Sequence, residues 1–141
     1  MTTLLIVHAG ATLFLTGLIW FVQIVHYPLF DRVGRDAFAA YEVEHSRRTT
    51  RVVAPVMLLE AASALLLLEF RPATIPAAWA WAGIVLLGIV WLSTALLQVP
   101  RHRSLERGFD GGVHRALVAT NWIRTIAWSA RSVLALAMTA R

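Results

Sequence analysis

A carboxylate and several imidazoles offer the most chemistry in this sequence. Glu42 and His45 stand three residues apart, which places them on one face of a helix, and helical bundles use this spacing to bind iron or manganese. Neutral imidazole and carboxylate ligands suit iron, zinc or copper. Other histidines lie near the same polar boundary, so the predicted metal ligands are His26, Glu42, His45, His102 and His114.

The same histidines also have a simpler interpretation. A single Glu-x-x-His occurs often by chance, and a second such motif, which a di-iron bundle requires, is missing from the sequence. Polar residues at the depth of lipid head groups also contact phosphates and helix ends. Both hypotheses, metal ligands and ordinary interfacial residues, remain open at this point.

Ionisable residues within apolar segments form a second candidate group. Such residues are costly in a bilayer, so they face the bundle interior and seek partners. With a rise of about 1.5 Å per helical residue, Glu60 lies between the depths of Arg124 and Arg131. We expect these three residues to be catalytic or binding groups, or to form a buried ion pair that holds the second helix to the fourth.

Four more polar residues are candidates for cofactor binding. Gln23 and Gln98 end the first and third apolar segments, and Asn121 begins a polar stripe on the fourth helix. These amides would orient metal ligands through hydrogen bonds. His8 lies near the opposite end of the first helix, where it would be an axial haem ligand or a histidine hydrogen-bonded within the bundle.

Composition indicates a membrane protein. The chain of 141 residues is 58% hydrophobic and 15% charged, with a mean hydropathy of +0.65, which is too apolar for an ordinary soluble domain. It has no cysteine, which excludes disulfides and thiolate metal sites. Its net charge of +5 comes from arginines that flank apolar segments and suit anionic lipid head groups, so we exclude nucleic acid as a partner.

The apolar pattern predicts an all-α fold, an integral membrane four-helix antiparallel bundle that forms a single domain over residues 1–141. A bilayer core about 30 Å thick needs roughly 20 apolar residues per helix. The predicted spans cover about residues 3–26, 52–69, 77–98 and 114–139, and a polar helix start at residues 36–51 precedes the second span.

Proline and aspartate predict where helices begin and end. Pro28 and Pro100 are expected to end the first and third helices, because proline lacks an amide hydrogen and restricts the residue before it. Asp36 is expected to cap the second helix, and Pro55 to kink it near the head groups.

Arginine placement predicts the orientation. The positive-inside rule puts arginine-rich segments in the cytoplasm, so both termini are expected on the non-cytoplasmic side of a cell inner membrane. The arginines of the two long polar segments are Arg32, Arg35, Arg47, Arg48, Arg51, Arg101, Arg103, Arg107 and Arg115, against Arg71 and Arg141 on the other side.

Two segments carry a resemblance to known families. The run from Gln23 to Phe30 and the segment from Asn121 to Arg124 resemble uncharacterised bacterial four-span membrane proteins, whose distant relatives include anthrone-oxygenase-like membrane proteins. The chain is also similar to small four-helix haem-dependent protoporphyrinogen oxidases, where an early histidine would correspond to His8. These resemblances imply a membrane-embedded oxidoreductase.

Three functional hypotheses follow. The first is a metal- or haem-dependent oxidoreductase that takes an apolar or planar small molecule from the lipid bilayer between the second and fourth helices. The second is a homo-oligomeric transporter in which Glu60 and Arg131 bind or gate a solute. The third is an accessory protein that packs closely against a partner through small residues, which are Gly10, Gly17, Gly83 and Gly88.

Overall fold

The fold is built from α-helices. The computed structural model describes residues 2–141; helix accounts for 89% of the structure, and no described residue lies in a β-strand. The all-α, four-helix class predicted from the sequence is confirmed. The helices are α1 (Thr2–Arg32), α2 (Arg35–Phe70), α3 (Ala77–Leu105) and α4 (Gly111–Thr139).

Helices α1 and α3 each contain one widened turn. A π-helical turn occupies Val22–His26 in α1 and Thr94–Gln98 in α3, and each turn carries a buried glutamine. π turns change the register of the side chains that follow and often lie at functional sites. Before these turns the chain is regular α-helix over Thr2–Phe21 and Ala77–Ser93.

Neither proline ends its helix, which corrects the expectation for Pro28 and Pro100. Pro28 begins a 3₁₀ turn that runs to Arg32, and Pro100 lies in the first turn of an α-helical segment, Val99–Leu105. Proline is tolerated at the start of a helix because the amide hydrogen that it lacks would have no partner there. The π turns place both prolines at such starts, so the helical chain continues past each of them.

Helix α2 joins the polar start and the apolar span in one element of 36 residues. It begins at Arg35 after Gly34, and no side chain caps its first turn, so the expected cap by Asp36 is wrong. Pro55 lies inside the helix, which continues on both sides of it.

Helix α4 begins at Gly111, and it has a side-chain cap. The Asp110 carboxylate accepts hydrogen bonds from the backbone amides of Gly112 and Val113 at 2.7 and 2.9 Å. This is the usual way in which aspartate satisfies free amides at a helix start.

The four helices form a closed ring. α1 lies between α2 and α4, and α3 lies between α4 and α2, so α2 and α4 are diagonal partners. The core between them contains Leu15, Phe30 and Trp128 among its most deeply buried side chains. The backbones of α2 and α3 come close at fewer positions than those of the other pairs of neighbouring helices. This leaves space between α2 and α3.

The outer surface of the bundle is apolar. Large side chains such as Phe14, Leu58 and Leu96 are exposed. Helices α1, α2 and α3 are long and apolar enough to cross a bilayer, as judged over residues 2–141. Such a surface suits contact with hydrocarbon rather than with water. Within hydrocarbon, a helix can satisfy its backbone polar groups by its own hydrogen bonds. The chain therefore has the properties of a membrane protein.

Helix α4 is long enough to cross a bilayer but, unlike the other three, it contains no stretch apolar enough to be a candidate span, because its inner face is polar. Asn121, Arg124 and Arg131 are buried, whereas Ile126 and Val133 on the same helix are exposed. Ile126 and Val133 therefore face outward, as a membrane helix requires of its lipid-facing side chains. The fourth crossing stays a prediction.

Candidate metal centre

A carboxylate and two imidazoles meet between α2 and α3. Glu42 and His45 lie on the polar first half of α2, and His102 lies on the part of α3 that follows its π turn. One potential ligand atom of each residue lies within 4.8 Å of those of the other two, close enough to bind a single ion. We call these three residues the metal cluster; all three belong to the ligand set predicted from the sequence.

Glu42 is fully buried but only half satisfied. Its Oε1 forms a short hydrogen bond with Nδ1 of His102, whereas Oε2 has no hydrogen-bond partner among residues 2–141. A buried polar atom without a partner costs about 1–3 kcal/mol, and more when it is charged. A cation beside Glu42 would satisfy this oxygen.

His26 supports the metal cluster from α1. Its Nε2 is 2.9 Å from Nδ1 of His45, and the Thr49 hydroxyl is 3.2 Å from the same nitrogen. Metal-bound histidines commonly use one ring nitrogen for the metal and the other for an orienting hydrogen bond. His26 is therefore placed to orient His45, whose Nε2 would be the atom that binds the metal.

His114 does not join the metal cluster, which corrects its place in the predicted ligand set. Its Nε2 donates a hydrogen bond of 2.7 Å to the backbone carbonyl of Tyr27. Its ring stacks on Phe30, with the ring centroids 6.2 Å apart. Through this hydrogen bond and this ring contact, His114 links α4 to the end of α1.

Tyr27 connects the metal cluster to Arg124. Its hydroxyl is 2.8 Å from Nε2 of His102 and accepts a hydrogen bond of 3.3 Å from Nη2 of Arg124. When Nδ1 of His102 donates to Glu42, Nε2 carries the lone pair and the Tyr27 hydroxyl must donate to it. A continuous chain of hydrogen bonds then runs from Arg124 to Glu42. One of the two hydrogen bonds of His102 would have to break for His102 to bind a metal.

Two buried amides hold Arg124 in place. Oδ1 of Asn121 accepts hydrogen bonds from Nε and Nη2 of Arg124 at 2.9 and 2.5 Å. Nδ2 of Asn121 donates to Gln23 at 2.8 Å, and Gln23 donates to the carbonyl of Val118 at 3.2 Å. Gln23 and Asn121, which the sequence indicated as neighbours of metal ligands, orient this guanidinium instead.

Gln98 offers an acceptor that no described residue uses. Its Nε2 donates to the Thr120 hydroxyl at 3.1 Å, and that hydroxyl donates its own hydrogen to the carbonyl of Ala116 at 2.6 Å. These two bonds fix the orientation of the Gln98 amide. Its Oε1 is buried and has no hydrogen-bond partner within residues 2–141.

A cavity of about 520 Å³ adjoins the metal cluster between α2 and α3. His45, His102 and Arg124 line its polar end. The volume lies in the range of small-molecule sites, about 300–1,000 Å³. The cavity lies on the α2–α3 side, which corrects the expected entry between the second and fourth helices. The apolar residues that line the rest of it are Val53, Ala54, Met57, Leu58, Trp91, Ala95 and Val99.

Glu60 pairs with Arg131 and not with Arg124. Nε of Arg131 is 2.9 Å from one carboxylate oxygen, and the indole of Trp128 donates to the other at 3.1 Å. Arg131 also donates to the backbone carbonyl of Gly83. The two charged side chains are 1% and 0% exposed, so the buried ion pair expected from the sequence is present and joins α2 to α4.

His8 lies away from the metal cluster and bonds to α2. Its Nδ1 is 3.0 Å from the Ser63 hydroxyl, and both residues are buried. The cavity beside it measures about 10 Å³, which is room for about one water molecule. The arrangement fits a histidine hydrogen-bonded within the bundle, and it leaves no space for haem.

Sequence reasoning missed Tyr27 and Phe30. The Phe30 ring is fully buried, with its centroid 5.1 Å from that of His45 and 5.2 Å from that of His26. Tyr27 follows Gln23 by four residues, a spacing that places the two side chains on one helix face and would have indicated Tyr27. Phe30 reads as an ordinary core residue, so the sequence gives no comparable signal for it.

Comparison of the chain with known protein families, with curated proteins and with solved structures finds no match. The resemblances noted in the sequence therefore remain expectations, and function must be argued from the residues of this chain.

Proposed function

We propose that this protein is a membrane-embedded, metal-dependent oxidoreductase, with Glu42, His45 and His102 as the metal ligands. The observation that carries the proposal is the buried, half-satisfied Glu42 beside two imidazoles at the polar end of the cavity. A catalytic metal needs ligands from the protein together with free positions toward a space that a substrate can enter.

The ligand types favour a redox-active metal. Two histidines and one carboxylate with open coordination positions are typical of non-haem iron(II) enzymes that use oxygen. The absence of cysteine from the chain excludes the thiolate ligands of structural zinc sites. Iron is therefore the first candidate, and copper, which imidazole also binds, is the second.

The cavity favours an apolar or planar substrate that arrives from the bilayer. Met57, Trp91 and Val99 line it, and exposed Leu58 and Trp91 connect it to the apolar outer surface. A molecule dissolved in hydrocarbon can enter there without crossing water. Its reacting end would then lie against His45 and His102.

The same proposal places the metal cluster near the cytoplasmic face of a cell inner membrane. The arginine-rich ends of α1 and α3 and starts of α2 and α4 lie at this end of the bundle, whereas the opposite end has Arg71 and Arg141. By the positive-inside rule, both termini then lie on the non-cytoplasmic side.

Metal content of the purified protein tests the proposal. Protein isolated in detergent should contain about one iron or copper ion per chain by mass spectrometry, as one three-residue cluster predicts. His45→Ala should lose most of this metal. His8→Ala removes a histidine outside the metal cluster and should retain it.

Two results would contradict the proposal. Equal metal content in His45→Ala and in the unaltered protein would exclude the ligand set. Zinc in place of iron or copper would support metal binding and overturn the oxidoreductase, because zinc has no redox chemistry in proteins.

A further inference from the structure

Arg124 is a buried cation whose partners are all neutral. It is 7% exposed, and none of the carboxylates in the described chain forms an ion pair with it. Arg131, about two helical turns further along α4, is neutralised by Glu60. An arginine at membrane depth is costly without a counter-charge. Arg124 therefore lacks the partner that Arg131 has.

The two edges of the Arg124 guanidinium differ in how well they are satisfied. The edge formed by Nε and Nη2 is held by Asn121 at 2.9 and 2.5 Å. Toward the cavity, Nη1 reaches the Thr94 hydroxyl at 3.4 Å and Nη2 reaches the Tyr27 hydroxyl at 3.3 Å. These two distances exceed the usual range of about 2.7–3.2 Å, so donors remain for a stronger acceptor.

The surrounding residues present this edge to the cavity. Arg124, Tyr27 and Thr94 all line it. A guanidinium binds a carboxylate through two parallel hydrogen bonds, and such charge-assisted bonds are about twice as strong as neutral ones.

We propose that the cavity binds a monocarboxylate with an apolar body, and that Arg124 holds the carboxylate. This inference names the substrate class of the proposed oxidoreductase and rests on that function. The apolar body would lie along Met57 and Trp91 toward the bilayer. Tyr27 joins Arg124 to His102, so the bound acid would lie beside the metal cluster.

A small acid suits the cavity better than a phospholipid does. The volume of about 520 Å³ is that of a site for a small organic molecule. The phosphate of an anionic lipid shares the chemistry of the carboxylate and is the alternative that the experiment must separate.

Binding of 2-naphthoate and of its neutral methyl ester tests the inference. The full chain is placed in phosphatidylcholine nanodiscs and treated with chelator, so that neither probe binds through a metal. Protein-free nanodiscs correct for partition into lipid. The acid should bind about tenfold more tightly than the ester, or better, because the charge-assisted bonds to Arg124 require the carboxylate.

Two variants locate the effect. Arg124→Met should abolish the preference for the acid and leave ester binding unchanged, which also shows that the cavity is intact. Arg103→Met makes the same substitution at an exposed arginine on the cavity edge and should change acid binding by less than about twofold. If Arg124→Met fails to fold, Arg124→Lys serves in its place. Lysine keeps the charge but lacks the two parallel donors of the guanidinium, so it should weaken the preference for the acid over the ester.

Three results would overturn the inference. Equal binding of acid and ester by the unaltered protein would overturn it, and this result does not depend on whether any variant folds. An equal loss in Arg103→Met and Arg124→Met would show a general effect of charge. Loss of acid binding in phosphatidylglycerol nanodiscs would assign Arg124 to a lipid phosphate. Because the binding assay uses chelated protein, its result does not depend on the metal. If the protein as purified contains no metal but still shows Arg124-dependent binding of the acid, the oxidoreductase is refuted and the carboxylate site is retained.

Discussion

Glu42 and Glu60 are two buried carboxylates on the same helix with opposite hydrogen-bonding states. Both are 0% exposed. Glu60 has a donor at each oxygen, from Arg131 and from Trp128, whereas one oxygen of Glu42 has none among the residues described. Glu60 is therefore complete without a ligand, whereas a cation would complete Glu42. Under the proposed function, this difference gives Glu60 a structural role and Glu42 a role in metal binding.

Replacing Glu60 should destabilise the bundle. Glu60→Gln removes one partner of a buried pair and leaves the Arg131 charge without compensation, which typically costs about 3–5 kcal/mol. The free energy of unfolding, measured by SDS titration in mixed micelles, should fall by this amount. Metal content of the folded fraction should not change, because Glu60 lies outside the metal cluster.

Glu69→Gln is the matched control for that change. Glu69 lies on the same helix but is exposed, and no ion pair is recorded for it among residues 2–141. Its replacement should alter the free energy of unfolding by less than about 0.5 kcal/mol. Equal effects of the two substitutions would show that the buried pair contributes no stability.

The sequence identified the residues of the site better than it identified their partners. Glu42 with His45 was predictable because their spacing fixes a shared helix face. Depth along the helices did not decide between Arg124 and Arg131 as the partner of Glu60. That choice depends on how α4 is rotated about its axis, which comes from packing.

At the scale of elements, the hydrophobic pattern predicted the four helices, but local geometry set their ends. Pro28 and Pro100 were expected as helix ends because proline removes a backbone hydrogen bond. The preceding π turns place each proline at the start of a new segment. A π turn changes one backbone hydrogen-bond register and leaves no distinct composition, so the sequence could not indicate it.

The N-cap of α4 makes stability depend on pH at one helix end. Hydrogen bonds from the amides of Val113 and Gly112 lower the pKa of Asp110 below its usual 3.8. The pKa of Asp110 is lower in the folded chain than in the unfolded chain. The stability that this carboxylate contributes is therefore complete above the unfolded pKa and is lost as pH falls through the folded pKa. Asp110→Ala should therefore lower the unfolding temperature at pH 7, and this difference should shrink below pH 3.8.

Asp110→Asn separates the cap from the charge. Asparagine caps a helix about as well as aspartate but does not titrate. At pH 7 this variant should have the same unfolding temperature as the unaltered protein. On acidification, the part of the decrease in unfolding temperature that is due to residue 110 should be absent. If Asp110→Ala unfolded at the same temperature as the unaltered protein at pH 7, the cap would have no measurable role.

At the scale of the whole molecule, the outer surface carries many apolar side chains, and several polar side chains are buried beside the apolar core. Asn121, Arg124, Glu60 and Gln98 are buried, whereas Ile126 and Leu96 are exposed. An apolar outer surface is what a membrane protein requires, and the composition predicted that class. The position of the cavity between α2 and α3 was not predictable, because it depends on how closely neighbouring helices pack.

The arginine distribution predicts which face of the molecule meets the cytoplasm. Two single-cysteine variants can test this directly, because the chain has no cysteine of its own. Asp31→Cys marks the end of the bundle near the metal cluster, and Thr74→Cys marks the connection between α2 and α3 at the other end; both positions are exposed. Neither substitution removes an arginine, and acidic residues contribute little to orientation.

In spheroplasts of a bacterial host, a membrane-impermeant maleimide should label Thr74→Cys and leave Asp31→Cys unlabelled until the membrane is opened with detergent. By the positive-inside rule, the excess of arginine near Asp31 is expected to keep that end in the cytoplasm. The unaltered chain, without cysteine, gives the background. The opposite labelling would place the metal cluster at the outer face, and an apolar substrate would then reach the metal from the outer leaflet.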